Sequence, residues 1–242
     1  MSAIAVAREG QGPEVLLVHG GASPRTTWGV LAPLAVRWTL ALVHRRGYPP
    51  SPPAEDRQDF EVDAADLLPL LGPSVHVVAH SYGVLGTLLA AANSARPVRS
   101  LTLIEPPLYY LVPDDAEVAR VGNAVLIDGL DADPAMLREF LHLAGAPELD
   151  DGPLPEDVAR GVRRAQGGRL PGGARPALEI LRAEGVPSLV ASGGHASGLE
   201  RICDALAVRL DAQRVVAPGA GHFVAAAPGF AVVLEQFLTS VG

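Results

Sequence analysis

Short apolar runs that stop on turn residues, alternating with longer stretches of helical spacing, constrain this chain more than any other feature. Val15–His19 (VLLVH), Trp38–Val43 (WTLALV), Val75–His80 (VHVVAH), Arg99–Glu105 (RSLTLIE), Val186–Ser192 (VPSLVAS) and Arg214–Ala217 (RVVA) read as strands. Val15–His19 reads as a buried strand, and strands alternating with longer helical patterns are the signature of a mostly parallel sheet with crossover helices. The crossovers are also visible. Asp59–Leu71 places Phe60, Val62, Leu67, Leu68 and Leu71 at helical spacing, Gly83–Ala95 is an apolar helix, and Phe230–Leu238 closes the chain. The predicted fold class is α/β, with a mostly parallel central sheet and flanking helices.

Between Pro107 and Gly185 the pattern changes. Helical stretches at about 115–127, 133–144, 155–166 and 174–184 are broken by Gly145-Ala146-Pro147 and Pro171-Gly172-Gly173, with no strong strand run. This predicts a core made of residues 1–107 and 186–242, and a helical cap inserted at 108–185. Gly167–Gly173 is the expected hinge.

Composition narrows the partners. A net charge of −8 argues against nucleic acid, which requires clustered positive charge. All 19 basic residues are arginine, and with 26 Gly and 22 Pro the sequence suits a GC-rich bacterial genome. Cys203 is the single cysteine, so no intrachain disulfide forms; within an apparent helix, Leu199–Arg209, it reads as a small buried hydrophobe. The N-terminal MSAIAVAREG does not look like a secretory leader, and no run of about 20 apolar residues could span a bilayer. A cytoplasmic protein without membrane contacts is expected, either as a monomer or as a homodimer.

Ala79-His80-Ser81-Tyr82-Gly83 lies between a predicted strand and an apolar helix. A serine on so tight a turn is held in a strained conformation with its hydroxyl exposed, and the helix N-terminus behind it favours developing negative charge. Ala79 stands where the G-x-S-x-G form of this elbow has its first glycine. Pro218-Gly219-Ala220-Gly221-His222-Phe223 follows the last strand and can carry an imidazole over the sheet edge. Histidine titrates near neutrality, so His222 can accept the Ser81 proton and return it to a leaving group. His19-Gly20-Gly21 ends the first long strand; the N–H groups of Gly21 and Tyr82, with Ala22 as the neighbouring alternative, would form an oxyanion hole.

With Arg45-Arg46-Gly47-Tyr48-Pro49-Pro50-Ser51, which is similar to an R-G-x-G-x-S turn, these motifs resemble the α/β-hydrolase superfamily over almost the whole chain. The resemblance implies an eight-stranded type of sheet, shortened at the N-terminus, a helical cap and no cofactor. It also implies a triad acid, in most relatives in a G-x-x-D pattern after the strand corresponding to Val186–Ser192. Here Gly193-Gly194-His195-Ala196 offers no acid, and Glu200 and Asp204 lie in the next helix. Some members place the acid one strand earlier, which selects Glu105, followed by Pro106-Pro107; a dyad is the alternative. His80 reads as packing beside the site, and His195 as lining the pocket or capping a helix. His19, His80, His195 and His222 lack metal-ligand spacing, so no metal is expected.

Serine at the nucleophile position excludes the aspartate-dependent dehalogenase and epoxide hydrolase reactions and points to acyl transfer. An ester or lactone of a small to medium-sized apolar substrate is the leading expectation, with Trp28, Tyr109, Tyr110 and Phe223 as pocket residues. A lyase, cyclase or C–C bond hydrolase with the same site, and a non-catalytic small-molecule receptor, are the alternatives.

Overall fold

The structure, a computed structural model, describes residues 3–54, 57–119, 129–143, 152–154 and 156–242. Its centre is a seven-stranded sheet: β1 (Ala5–Glu9), β2 (Glu14–Val18), β3 (Thr39–His44), β4 (His76–His80), β5 (Ser100–Ile104), β6 (Ser188–Ser192) and β7 (Gln213–Val216). The spatial order is β1-β3-β2-β4-β5-β6-β7. Only β1 runs antiparallel, against β3. The other pairs are parallel, which requires crossovers over the sheet faces.

β4, β5 and β6 are buried at every position, and they bury His76, His80, Ser100, Thr102, Ser188 and Ser192 together with their apolar residues. β1 is absent from the sequence reading for a physical reason: it is a short edge strand ending in Arg8 and Glu9, and three of its five residues are exposed.

Among the described residues the helices with described ends are α1 (Pro24–Trp28), α2 (Phe60–Leu67), α3 (Gly83–Ala92), α4 (Pro134–Leu143), α5 (Glu156–Gln166), α6 (Leu178–Ala183), α7 (Ser197–Leu210) and α8 (Phe230–Ser240). Residues 116–119 are also helical. The side chain of Asp59 caps α2 by accepting the Glu61 N–H at 2.8 Å. The helix gives way at Leu68 to a 3₁₀ turn, Leu68–Leu70, around Pro69, so it is shorter than its apolar spacing predicts.

The sheet divides two apolar layers. One packs α2, α3, α6 and α7 on residues such as Leu16, Val77, Leu103 and Val190; Cys203 belongs to it and is fully buried. The other packs α1 and α8 on Leu17, Val78, Ile104 and Leu189. The long segment between β5 and β6 carries α4, α5 and α6 and contributes no strand among the described residues. Of the predicted helix at 115–127, residues 120–127 lie outside the described residues, as does Gly145-Ala146-Pro147. Among the described residues no helix is long and apolar enough to cross a membrane.

Candidate active site

Ser81 follows β4 directly and has φ of 53°, a left-handed conformation that costs a non-glycine residue free energy. Its N–H donates to the Ile104 carbonyl at 2.8 Å, and its carbonyl receives the Val84 N–H at the start of α3. The elbow closes only because its neighbours are small. A Cβ at Gly83 would lie 2.3 Å from the His19 carbonyl oxygen, and one at Gly20 would lie 2.7 Å from Ser81 Cβ. Ala79 is fully buried in the sheet, so its extra methyl is accommodated. Ser81 is partly exposed, and its hydroxyl makes no hydrogen bond to a described residue.

Glu105 leaves β5 with φ of 51° and is fully buried. Its Oε1 accepts the Gly193 N–H at 2.6 Å and its Oε2 lies 3.4 Å from His222 Nδ1. Burial pushes its carboxyl up to about 7, with the Gly193 N–H and His195 acting in the other direction. His222 is pulled down by burial and then by His195. The structure therefore brings Glu105 and His222 together at the same sheet edge as Ser81.

His80 does more than pack. Its Nε2–H donates to the His222 carbonyl at 2.9 Å, and the two rings lie 4.5 Å apart. Burial foremost, with His222 next, lowers His80 to about 3, so its ring stays neutral and serves as a donor. One residue thus links the nucleophile elbow to the histidine loop. A polar side chain at a position flanked by buried strand residues was the sequence signal for this role.

His195 Nδ1 stands 3.8 Å from Glu105 Oε1, so the carboxylate lies between two histidines. Ala196, rather than His195, occupies the N-cap of α7. Glu105, His195 and His222 bring ligand atoms within 4.8 Å of one another, a spacing that a divalent ion could use. Both Glu105 oxygens already have partners in Gly193 and His222. Glu200 and Asp204 face elsewhere, both pairing with Arg214, while Glu200 also receives Ser192 Oγ–H and the Gly194 N–H.

The turn at Arg45–Tyr48 braces the Gly20–Gly21 loop. Arg45 Nη2 donates to the Gly20 carbonyl at 2.7 Å and Nε to the His19 carbonyl at 3.0 Å. The Tyr48 hydroxyl donates to the Gly21 carbonyl at 2.7 Å. Arg45 is itself held by Asp63 at 2.5 Å, with both side chains buried. The loop carbonyls are thus pinned, while the Gly21 and Tyr82 N–H groups enter no backbone hydrogen bond among the described residues. Such N–H groups can receive an anion beside Ser81.

A small cavity of about 80 Å³ adjoins this loop, lined by Gly21, Tyr82, Tyr48, Arg164 and Arg169 among others. Tyr82 donates its hydroxyl to the Arg169 carbonyl at 2.9 Å, and the Arg169 N–H donates to the Gln58 carbonyl, so the stretch expected as a hinge is tethered here. A larger cavity of about 560 Å³ shares Arg169 as a wall and is lined by Tyr109 and Tyr110. Trp28 and Phe223 line neither. Trp28, the last residue of α1, is 1% exposed and packs in the core, and Phe223 packs against the His80 and His222 rings.

Comparison with known proteins agrees with this architecture. The chain is 31% identical over 184 residues to a pimeloyl-[acyl-carrier protein] methyl ester esterase from Methylococcus capsulatus, covering 72% of this chain and 68% of that one. An alpha/beta hydrolase from Sphaerobacter thermophilus superposes with a TM-score of 0.66 at 25% identity, covering 97% of this chain and 96% of its own. A thermophilic esterase from Thermogutta terrifontis gives 0.70 at 21% identity, with 98% and 93% covered, a likeness of fold alone. Residues 15–234 match the profile of the alpha/beta hydrolase family, which takes in six of the seven strands, the Ser81 elbow, Glu105 and the His222 loop. With most of the chain matched in this way, it belongs to the alpha/beta hydrolase family.

Proposed function

We propose that this protein hydrolyses carboxylic esters through an acyl-enzyme on Ser81. The observation that carries this reading is the arrangement at one sheet edge: a serine in a left-handed turn, and a histidine whose Nδ1 faces a buried carboxylate at 3.4 Å. The similarity to a pimeloyl-[acyl-carrier protein] methyl ester esterase supports an ester as the bond cleaved.

In this mechanism Glu105 keeps the His222 proton on Nδ1, leaving Nε2 as the base. Substrate binding closes the Ser81–His222 contact, as catalytic hydrogen bonds often tighten only with substrate present. Ser81 Oγ attacks the acyl carbon as its proton passes to His222 Nε2. The carbonyl oxygen becomes an oxyanion received by the Gly21 and Tyr82 N–H groups. His222 then protonates the departing alcohol as the C–O bond breaks. Water repeats the sequence, releasing the acid and restoring Ser81. The helices at 108–185 act as a cap over this edge.

A fluorophosphonate probe and p-nitrophenyl acetate test the reading. Wild-type protein should label and turn over, and Ser81→Ala should lose labelling and at least about 10³ of the turnover. Labelling of Ser81→Ala at the wild-type rate would refute it.

A further inference from the structure

Arginine is placed unevenly around the larger cavity. The chain has 27 acidic residues against 19 basic ones, so arginines without an acidic neighbour are not forced by composition. Arg169 is satisfied, by Asp59 and Glu61. Arg57 and Arg175, also in the lining, stand within ion-pair distance of no carboxylate among the described residues. Arg175 is nonetheless held in place. Its guanidinium lies 4.5 Å over the Tyr110 ring, and a single terminal nitrogen, Nη1, donates to the carbonyls of Gly172 and Ala174. Its Nε and Nη2 donate to no described residue, which leaves the edge of the guanidinium that pairs with a carboxylate or phosphate open. Arg164, in the smaller cavity beside Gly21, also has no carboxylate partner among the described residues and stacks 4.1 Å over Tyr48.

The remaining lining of the larger cavity is apolar, with Tyr109, Tyr110, Val112 and Leu170. Its volume of about 560 Å³ suits a small molecule. An apolar chamber with an open arginine edge recognises a molecule with an apolar body and an anionic end. We propose that this cavity selects esters of that class, with the terminal carboxylate or phosphate bound by Arg175 and assisted by Arg57, and the ester directed past Arg169 toward Ser81. This selectivity rests on the hydrolase reading above; the binding site does not.

The test compares p-nitrophenyl monoesters of straight-chain dicarboxylic acids, and their phosphate-ended counterparts, with neutral acyl esters of equal length. Wild-type kcat/KM should favour an anionic series by about tenfold or more, the effect of one charge-assisted hydrogen bond. The better series identifies the anion. In Arg57→Ala/Arg175→Ala the anionic-to-neutral ratio should approach one. Arg175→Lys should keep more of the preference for phosphate than for carboxylate, because lysine offers a point charge without the fork. A wild-type ratio near one, or a ratio that survives the double substitution, overturns the proposal. Calorimetry on Ser81→Ala protein separates the two readings. Binding of the anionic monoester should weaken about tenfold when Arg57 and Arg175 are also replaced. If Ser81→Ala retains full turnover while this binding loss is seen, the hydrolase reading fails and the anion site stands. If Ser81→Ala is inactive and binding ignores both arginines, the anion site fails alone.

Discussion

Replacing Glu105 by glutamine should move stability and activity in opposite directions. The carboxyl is fully buried and displaced upward from 4.5 to about 7, chiefly by burial. A carboxyl raised on folding favours the native state while it is protonated, and that advantage is lost as pH rises through its native value. With each pH unit of displacement worth 1.36 kcal/mol, the raised Glu105 carboxyl costs the native state about 1 kcal/mol at pH 5, where the unfolded chain ionises it, and about 3 kcal/mol at pH 8. Glutamine has no such dependence and can still accept the Gly193 N–H. Its advantage over wild type should therefore grow by about 2 kcal/mol between those two pH values. The histidines lowered by burial (His19, His76, His80 and His222) give both proteins an opposite trend, stability falling as pH drops below 6.5, so only the difference is informative. Activity should fall, because the glutamine amide would donate to His222 Nδ1 and move the ring proton to Nε2. Loss of the base in this way costs about 10³ to 10⁴ in kcat. Urea unfolding followed by the fluorescence of buried Trp28 and Trp38 measures the first effect, and p-nitrophenyl ester turnover the second. A variant less stable than wild type at pH 8, or one with full activity, would refute the reasoning.

Three other substitutions probe the surrounding frame. His80→Phe keeps a ring against Trp28 and Phe223 but removes the donor to the His222 carbonyl; steady-state kinetics should show kcat down about tenfold, equivalent to one hydrogen bond, with KM unchanged. Arg45→Met leaves Asp63 buried and unpaired and removes one of the donors to the Gly20 carbonyl, so urea unfolding should show a loss of about 3–5 kcal/mol, much of it recovered by Arg45→Met/Asp63→Leu. Gly83→Ala places a Cβ 2.3 Å from the His19 carbonyl oxygen, so it should lose about 1–3 kcal/mol and most activity, by denaturation and turnover assays.

The sheet was legible because its buried strands leave short apolar-rich runs that stop on turn residues, although β4, β5 and β6 also bury polar residues such as His76 and Thr102. The edge strand β1 bears no such signature, because its pairing depends on β3 supplying the partner backbone. Ser81 and His222 were legible through the small residues their turns require. Glu105 was selected by the resemblance, and the structure puts it fully buried, where a carboxylate needs a partner. Side chains acting across the chain were not. The His80 bond to His222 spans 142 positions, and the Arg45 brace depends on Asp63 reaching it from α2. Trp28, Tyr109, Tyr110 and Phe223 were all expected at the pocket, yet only Tyr109 and Tyr110 line a cavity, while Trp28 lies in the core and Phe223 against the histidine rings.

Ser81 and Glu105 end neighbouring parallel strands, and both have a positive φ. Two such residues, each strained by about 1–3 kcal/mol, concentrate backbone cost where the proposed chemistry is done. Glycine would remove the strain but would also remove the hydroxyl or the carboxyl. This gives a reversal of the ordinary glycine rule. Elsewhere glycine in place of alanine destabilises by about 0.5–1 kcal/mol through the entropy of the unfolded chain. At position 81 the Cβ is held at a φ of 53°, and a Cβ there limits how closely Gly20 can approach. Ser81→Gly should therefore be more stable than Ser81→Ala by about 1 kcal/mol in urea unfolding, although both lack the nucleophile. If the alanine variant is the more stable of the two, the turn is not strained at Ser81, and a stored conformational cost at the nucleophile is the wrong account of this elbow.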